Sequence, residues 1–337
     1  ETIWGRKVRI EPLDTGLTRT GNFNAYTKLC DTAFMGVASM SAFDEGIHDP
    51  VTECGIPDLR TTSTNPSIML LPTVYSALAI RPDTLQLTNY QYWKRHYPDA
   101  IKSAAFVFVD NNTTRAQTRT EVEGSSQIGY EWTAYEPVDL AAISYKTQIR
   151  RMKNADPPVR FVAFQGAYQQ AAKLAREMLE EAFIPDVFAL QMNIYDPRFL
   201  VEGGQNLEQF LVHIALLSQM TEEIEGSPEL QTYRRWLKFI DPEAEPTGLG
   251  NYAWSATKLT YQLLKEIGPN PTRAKMIEAM GQVEGWSADG LHPAQAIGSK
   301  DRANCVIMLE VRDASFVRIH PAEPNTFDCS GPVVRIE

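Results

Sequence analysis

The residues able to do covalent or metal chemistry in this 337-residue chain are few and scattered. His48, His96, His213, His292 and His320 stand apart from one another, and none lies at metal-ligand spacing from a second histidine or a cysteine. Each is expected as an ordinary core or surface histidine, with no metal site and no cofactor. The chain has no G-x-S-x-G elbow, no H-E-x-x-H, no phosphate-binding G-x-x-x-x-G-K-[ST] and no G-x-G-x-x-G after a strand. Its nearest approach to a nucleophile turn is Gly36-Val37-Ala38-Ser39-Met40-Ser41, which lacks the second glycine. An α/β hydrolase or transferase would have to pair Ser39 or Ser41 with His48 or His292, and nothing in the spacing recommends that pairing. The carboxylate pairs Asp44-Glu45, Glu180-Glu181 and Glu222-Glu223 read as solvated faces. No enzyme is expected.

What recurs instead is a set of neutral hydrogen-bonding groups, each set just after a strand-like run. These are Ser39-Met40-Ser41, then Thr61-Thr62-Ser63-Thr64-Asn65, then Asn111-Asn112-Thr113-Thr114. Gln165-Gly166-Ala167-Tyr168 and Gln191-Met192-Asn193-Ile194-Tyr195 follow. Open parallel sheets bind ligands outside the carboxyl ends of their strands. Hydroxyls, amides and flat tyrosines there suit reversible capture better than catalysis. Any one such loop could be ordinary helix capping; only the recurrence at five strand ends points to a pocket. The candidate ligand contacts are Ser39, Met40, Ser41, Thr62, Ser63, Thr64, Asn112, Thr114, Gln165, Tyr168, Gln191 and Asn193.

The elements that would position these loops alternate. Strands are expected at Lys7–Leu13, Ala33–Ala38, Gly55–Arg60, Ala104–Val109, Ile128–Trp132, Arg160–Phe164, Val187–Leu190 and Phe210–Leu217. Between them lie helices at Asn24–Cys30, from about Thr113, after Asp139 and at Ala167–Phe183. The last is the clearest, with Ala171, Leu174, Ala175, Met178 and Leu179 on one face. The stretch from Pro72 to Tyr97 ends in an aromatic-rich helix. Leu230–Phe239, Ala253–Lys265 and Thr272–Met280 read as helices, and Cys305–Val311 with Phe316–Ile319 as a hairpin across Arg312-Asp313-Ala314-Ser315. The repeated strand–helix rhythm implies parallel sheets covered on both faces, in about two domains of ~150 residues each.

Cys30, Cys54, Cys305 and Cys329 form two pairs of identical spacing, and neither has the close spacing of a zinc or redox site. Two local bridges, Cys30–Cys54 and Cys305–Cys329, are the simplest reading, each stabilising by roughly 3–4 kcal/mol in the chain-entropy model. The alternative is four buried thiols in a cytosolic protein. Bridges would place the chain in an oxidising compartment.

At this point the sequence resembles a known family, the type I periplasmic binding proteins of branched-chain amino-acid importers, or leucine/isoleucine/valine-binding group. The resemblance rests on Gly5-Arg6-Lys7-Val8, on Gly55-Ile56-Pro57 with Ser63-Thr64-Asn65-Pro66, and on Tyr97-Pro98 with the Ala105–Asn111 run. It continues through Gly268, Thr272-Arg273, Trp286 and Gly290-Leu291, and so covers essentially the whole chain. It implies two α/β lobes, each a doubly wound parallel sheet, joined by three crossovers and closing like a hinged trap. The lobes would comprise residues 1–98 with 221–290, and 99–220 with 291–337. Carried over, Ser39 and Met40 match the loop that meets a ligand carboxylate, and Ser63 and Thr64 the second contact of that lobe. Thr114, Gln165, Tyr168 and Gln191–Asn193 lie where the other lobe makes its contacts.

Two departures matter. The amino-acid binders place an acidic residue after the strand matching Val187–Leu190, and here no carboxylate precedes Asp196. Thr114 stands where the family has a tyrosine. An aromatic acid, an amide or another neutral metabolite is therefore as much expected as an α-amino acid. The family also begins with a strand and helix ahead of the Gly5-Arg6-Lys7-Val8 segment; a removed segment, or a piece supplied by other means, would be expected to take their place.

Composition agrees with a secreted binder. A hydrophobic content of 43% supplies a core and 22% charged residues argue against long disorder. A net charge of -10 repels phosphate backbones and anionic lipid, so nucleic acid is not an expected partner. The expected protein is the monomeric substrate-binding component of an ABC importer, capturing a small amino-acid-like or carboxylate/amide metabolite in an interlobe cleft. Its partners would be that small-molecule ligand and a membrane permease. It would lie in the periplasm or outside the cell, with a lipid anchor to the outer face of the cell membrane left open. A ligand-sensing receptor domain of the same fold is the alternative.

Overall fold

In a computed structural model, described over residues 2–336, the chain divides into two compact units. The first is Glu1–Pro82 with Leu249–Ala303, the second Asp83–Gly248 with Asn304–Glu337. The chain thus passes between units after Pro82, Gly248 and Ala303, earlier or later than the boundaries expected near residues 98, 220 and 290. Packing explains the shift. Trp93 and Tyr90 set their rings edge-on against Phe161 and Tyr130 of the second unit, each pair with centroids 5.4 Å apart. Thr221 is held by the Tyr195 hydroxyl, also in the second unit, while His292 and Gln295 bond to Ser255 and Trp286 of the first.

The first stretch runs β1 (Thr2–Ile3), β2 (Arg6–Lys7), α1 (Arg19–Thr32), β3 (Gly36–Val37), α2 (His48–Cys54), β4 (Asp58–Thr62), α3 (Pro66–Met69) and β5 (Val74–Leu78). β3, β4 and β5 form a parallel sheet in that order, and β1 and β2 a small antiparallel ribbon. The strand expected over Lys7–Leu13 is not formed. Only Arg6 and Lys7 pair, and Ile10 is 83% exposed. An alternating pattern makes a strand only where a neighbour accepts its ladder bonds, and β3 is the sheet's edge. The expected strand at Ala33–Ala38 shrinks to two residues for the same reason. β5, VYSAL, was not expected as a separate strand; all five of its residues are buried. Tyr26, Ile47, Val51, Ile56, Ile68 and Val74 form this unit's core, and Cys30–Cys54 joins α1 to the end of α2.

The second stretch runs β6 (Thr84–Gln86), α4 (Thr88–His96), β7 (Ala104–Val109), α5 (Asn112–Ser126), β8 (Trp132–Val138), α6 (Lys146–Lys153), β9 (Phe161–Gln165), α7 (Tyr168–Glu180), β10 (Val187–Leu190), α8 (Pro197–Gly203), β11 (Val212–Leu216) and α9 (Pro228–Ile240). α10 (Gly248–Ile267) and α11 (Arg273–Gly281) return to the first unit. β12 (Ile307–Arg312), β13 (Ser315–His320) and β14 (Val333–Arg335) complete the second. Its seven-stranded sheet has the order β13-β12-β11-β10-β9-β7-β8, with β8 through β11 parallel and the β12–β13 hairpin antiparallel. β14 pairs with β6 apart from this sheet. β8 begins where the expected Ile128–Trp132 strand ends. It is an edge strand whose pattern is hidden by Pro137 on its solvent face and by Glu136 on its buried face, where Arg151 pairs with the carboxylate at 3.3 Å. Cys305–Cys329 closes the second unit's last stretch. The fold is the expected one of parallel sheets wound on both faces.

Candidate functional site

In the first unit two strand-end loops lie side by side. Gly36 makes the approach of β3 to β4 possible, since a Cβ there would meet Asp58 Oδ1 at 2.4 Å. Ala38 then adopts φ +53°, unusual for a residue with a side chain, and throws Ser39-Met40-Ser41 across the end of β4. Thr61 ties this loop down, its N–H donating to Ser39 O (3.1 Å) and its hydroxyl to Ala38 O (3.0 Å). Ser39 Oγ donates to Asp58 Oδ1 at 3.0 Å. Ser41 Oγ accepts from Asn22 and from Phe43 N–H. Thr64 donates to Ser41 O at 2.9 Å, and its N–H and hydroxyl both reach Asp44 Oδ2. Met40 is exposed. Ser63 pairs with Ser76 (3.0 Å), while Thr62 Oγ1 is buried with no hydrogen-bond partner.

Beneath these loops lies a buried ionic cluster that sequence reasoning missed. Arg60 on β4 is 1% exposed. Its Nη1 donates to Asp58 Oδ2 (3.0 Å) and to the Tyr26 hydroxyl, its Nη2 to Asp44 Oδ1, and its Nε to Thr62 O (3.3 Å). Tyr26 in turn donates to Asp58 Oδ2 at 2.6 Å. Burial works against the guanidinium's charge, but Asp44, Tyr26 and Asp58 outweigh it and raise its pKa; burial pushes the Tyr26 phenol well up. Asp44 is therefore not on a solvated face, as its pairing with Glu45 suggested: it is wholly buried. Glu45 has Oε2 buried and without a partner. Glu223, of another such pair, is held by Arg318 rather than by solvent.

In the second unit the loop after β7 caps its own helix. Asn111 Oδ1 accepts from Thr114 N–H (2.9 Å), and the Thr114 hydroxyl bonds back to Val109 O. Thr114 is thus spent on a capping box. Thr113 Oγ1 beside it is buried and unpartnered, and Asn112 is exposed on the first turn. Gln165 at the end of β9 donates to Gln117 of α5, leaving its Oε1 buried without a partner. Asn193 donates to Gly166 O and so stitches the β10 loop to the β9 loop. Gln191 donates to Glu121 Oε2 of α5 at 2.7 Å, a carboxylate that also accepts from Tyr90. Tyr168 lies under the Arg198 guanidinium, 4.8 Å from its ring centroid. Asp196, the first carboxylate after β10, caps α8 and pairs with Arg198 (2.6 Å). Burial would raise its pKa, but the bonds to Arg198 hold it below the usual range.

So Ser39, Ser41 and Thr64 come together in one unit, with Thr62 and Ser63 on the neighbouring strand end. Gln165, Asn193 and Tyr168 gather with Gln191 in the other, near the cap formed by Asn111 and Thr114, with Asn112 exposed beside it. A hollow of about 290 Å³ beside α5 and β8 holds none of them; its Arg115 and Arg119 are bound to Asp110 and Glu123. The candidate nucleophile–base pairs do not form. His292 Nε2 is bonded to Ser255 (2.8 Å) and His48 to Asp49, away from Ser39 and Ser41. Among the described residues no cluster of His, Cys, Asp and Glu could hold a metal.

Two α/β units carrying neutral polar groups at their strand ends are an architecture suited to binding. The chain belongs to the periplasmic binding protein family, whose sequence profile matches residues 1–315. It is similar in fold to a leucine-binding protein from Thermotoga maritima (TM-score 0.75, 17% identity, 94% of this chain and 88% of that one). It is similar also to an extracellular ligand-binding receptor from Rhodopseudomonas palustris (0.79, 15%, 94% and 91%). A third likeness is a fatty acid ABC transporter substrate-binding protein from Thermomonospora curvata (0.77, 15%, 94% and 82%). Among curated proteins there is no sequence match. The family is extracytoplasmic, and two bonded cysteine pairs fit an oxidising compartment. No helix among the described residues is long and apolar enough to cross a membrane. Family and neighbours are binding proteins, not enzymes.

Proposed function

We propose that the protein is the substrate-binding component of an ABC importer, capturing one small amino-acid-like, carboxylate- or amide-bearing metabolite by lobe closure and passing it unchanged to a membrane permease. What supports this reading is membership of the periplasmic binding protein family together with neutral polar strand-end loops in each unit, where Thr62 Oγ1 and Gln165 Oε1 are left without a hydrogen-bond partner. A buried polar atom without a partner costs about 1–3 kcal/mol, and a bound solute or water would satisfy it. The contacts are the twelve residues named from the sequence, with Ser39, Ser63, Thr64, Gln165, Tyr168 and Asn193 foremost. Neutral donors and acceptors bind and release without chemistry. The protein acts as a monomer at the outer side of the cytoplasmic membrane, where a lipid anchor would keep it near the permease.

The test is calorimetry and thermal shift against amino acids, aromatic carboxylates, primary amides and, given the fatty-acid-binding neighbour, fatty acids. One class should bind at one site per chain and raise Tm. No binding across the panel would overturn the reading. A sensing role is the second reading, favoured by the neighbour described as a ligand-binding receptor. Permease and ATPase genes beside this one would favour import.

A further inference from the structure

We propose that Arg60 is a positioning residue for solute capture, a buried clamp that fixes Ser39 and Thr64 relative to each other without touching the solute. The inference rests on the reading of those two residues as ligand contacts. Asp58 on β4 holds the Ser39 hydroxyl, and Asp44, in the turn before α2, holds the N–H and hydroxyl of Thr64. The two carboxylates belong to different elements, and the Arg60 guanidinium joins them, one arm to each. Its Nε adds a bond to Thr62 O, just ahead of the second loop. Three donors in one rigid plane thus set the spacing of both loops. A lysine offers a single point charge and cannot span the two carboxylates and the carbonyl at once. Burying three ionisable groups together is a costly way to fill a core, since well-packed apolar residues of the same volume are often as stabilising or more so. The cluster therefore has a use beyond stability. That use is geometric, because both of its carboxylates end on residues of the strand-end loops.

The test combines hydrogen exchange with a double-mutant cycle on the full chain. In Arg60→Lys the Thr64 amide should exchange about tenfold faster or more, while the amides pairing β4 with β5 keep their protection. Binding is measured for L-leucine, phenylacetate, benzamide and palmitate, each alone. For any that binds the wild type, Ser39→Ala and Arg60→Lys should each weaken affinity about tenfold. The double variant should be no more than about threefold weaker than the worse single one, because both changes break one unit. Fully additive losses, an unchanged Thr64 amide, or a uniform loss of protection along β4 would overturn the clamp and leave Arg60 a structural residue. Should Ser39→Ala leave affinity intact, or none of the four bind, the ligand-contact reading fails and the clamp falls with it. Where Arg60→Lys does not fold, Asp44→Asn keeps the shape, removes the charge and should shift the same two readouts in the same direction.

Discussion

Acidification from pH 6.5 towards 4 should destabilise this protein, and two buried histidines set how much. His292 is 1% exposed and stacked on Tyr252, with ring centroids 4.7 Å apart. Its Nδ1 faces Pro293 O at 2.8 Å, a carbonyl that only accepts, so Nδ1 carries the proton. Nε2 must then accept from the Ser255 hydroxyl, which itself accepts from Trp286 Nε1. A second ring proton would point at a hydroxyl already committed as donor. Burial lowers the His292 pKa from 6.5 to about 4. His213 is wholly buried. Its Nδ1 accepts from Trp93, and Nε2 lies 3.8 Å from Glu310 without a hydrogen bond. Burial, against a smaller raising effect of Glu310, lowers its pKa to about 4 as well. In both cases the unfolded chain takes the proton first. The stabilisation is therefore complete above pH 6.5 and lost as pH falls towards 4, by up to about 3 kcal/mol for each histidine. Asp196 and Asp110, held below the usual range, titrate lower still. The assay is urea unfolding from pH 7.5 to 4.5, in wild type and in His292→Phe and His213→Phe. Each variant should lose about half of the wild-type pH dependence. The reasoning fails if both keep the full slope, or if stability rises as pH falls through this window.

Replacing Thr62 by valine removes a buried hydroxyl without a partner. The free protein should gain about 1 kcal/mol while solute affinity falls about fivefold, a split that unfolding and calorimetry would show and a purely structural residue would not. Gly36→Ala should cost about 2 kcal/mol or more in denaturant unfolding, because its Cβ would meet Asp58 Oδ1 at 2.4 Å; an unchanged midpoint would contradict that approach. Removing the Cys30–Cys54 bond by double serine substitution should lower stability by about 3 kcal/mol, read as the difference in urea midpoint, and no difference would show that α1 and α2 are held by packing alone.

Much of the fold was legible because its strands are continuous apolar runs, such as Ala104–Val109, and its clearest helix carries one apolar face. Residues at edges were not. Lys7–Leu13 alternates well yet finds no partner strand, and β8 is hidden by Pro137 on its solvent face and by Glu136 buried against Arg151 on the other. The strand-end loops could be read because Ser, Thr, Asn and Gln follow each apolar run. What each hydroxyl does there could not, since Thr114 caps its own helix while Thr62 is left unpartnered, and only coordinates separate those states. Arg60 escaped notice for a plainer reason: an arginine inside DLRTT looks like an edge or surface residue, and its two carboxylates are brought to it by tertiary packing. Gln117 and Glu121, which hold Gln165 and Gln191, lie on a helix face that reads as solvated.

The most direct test of the account is an isothermal titration of wild type, Ser39→Ala and Gln165→Ala with the solute class found in the binding screen. The account predicts one solute per chain, recovered chemically unchanged, and an affinity about tenfold weaker in each variant, since Ser39 and Gln165 are both proposed as contacts of the captured solute. Full affinity in either variant, or recovery of a product in place of the solute, would contradict it.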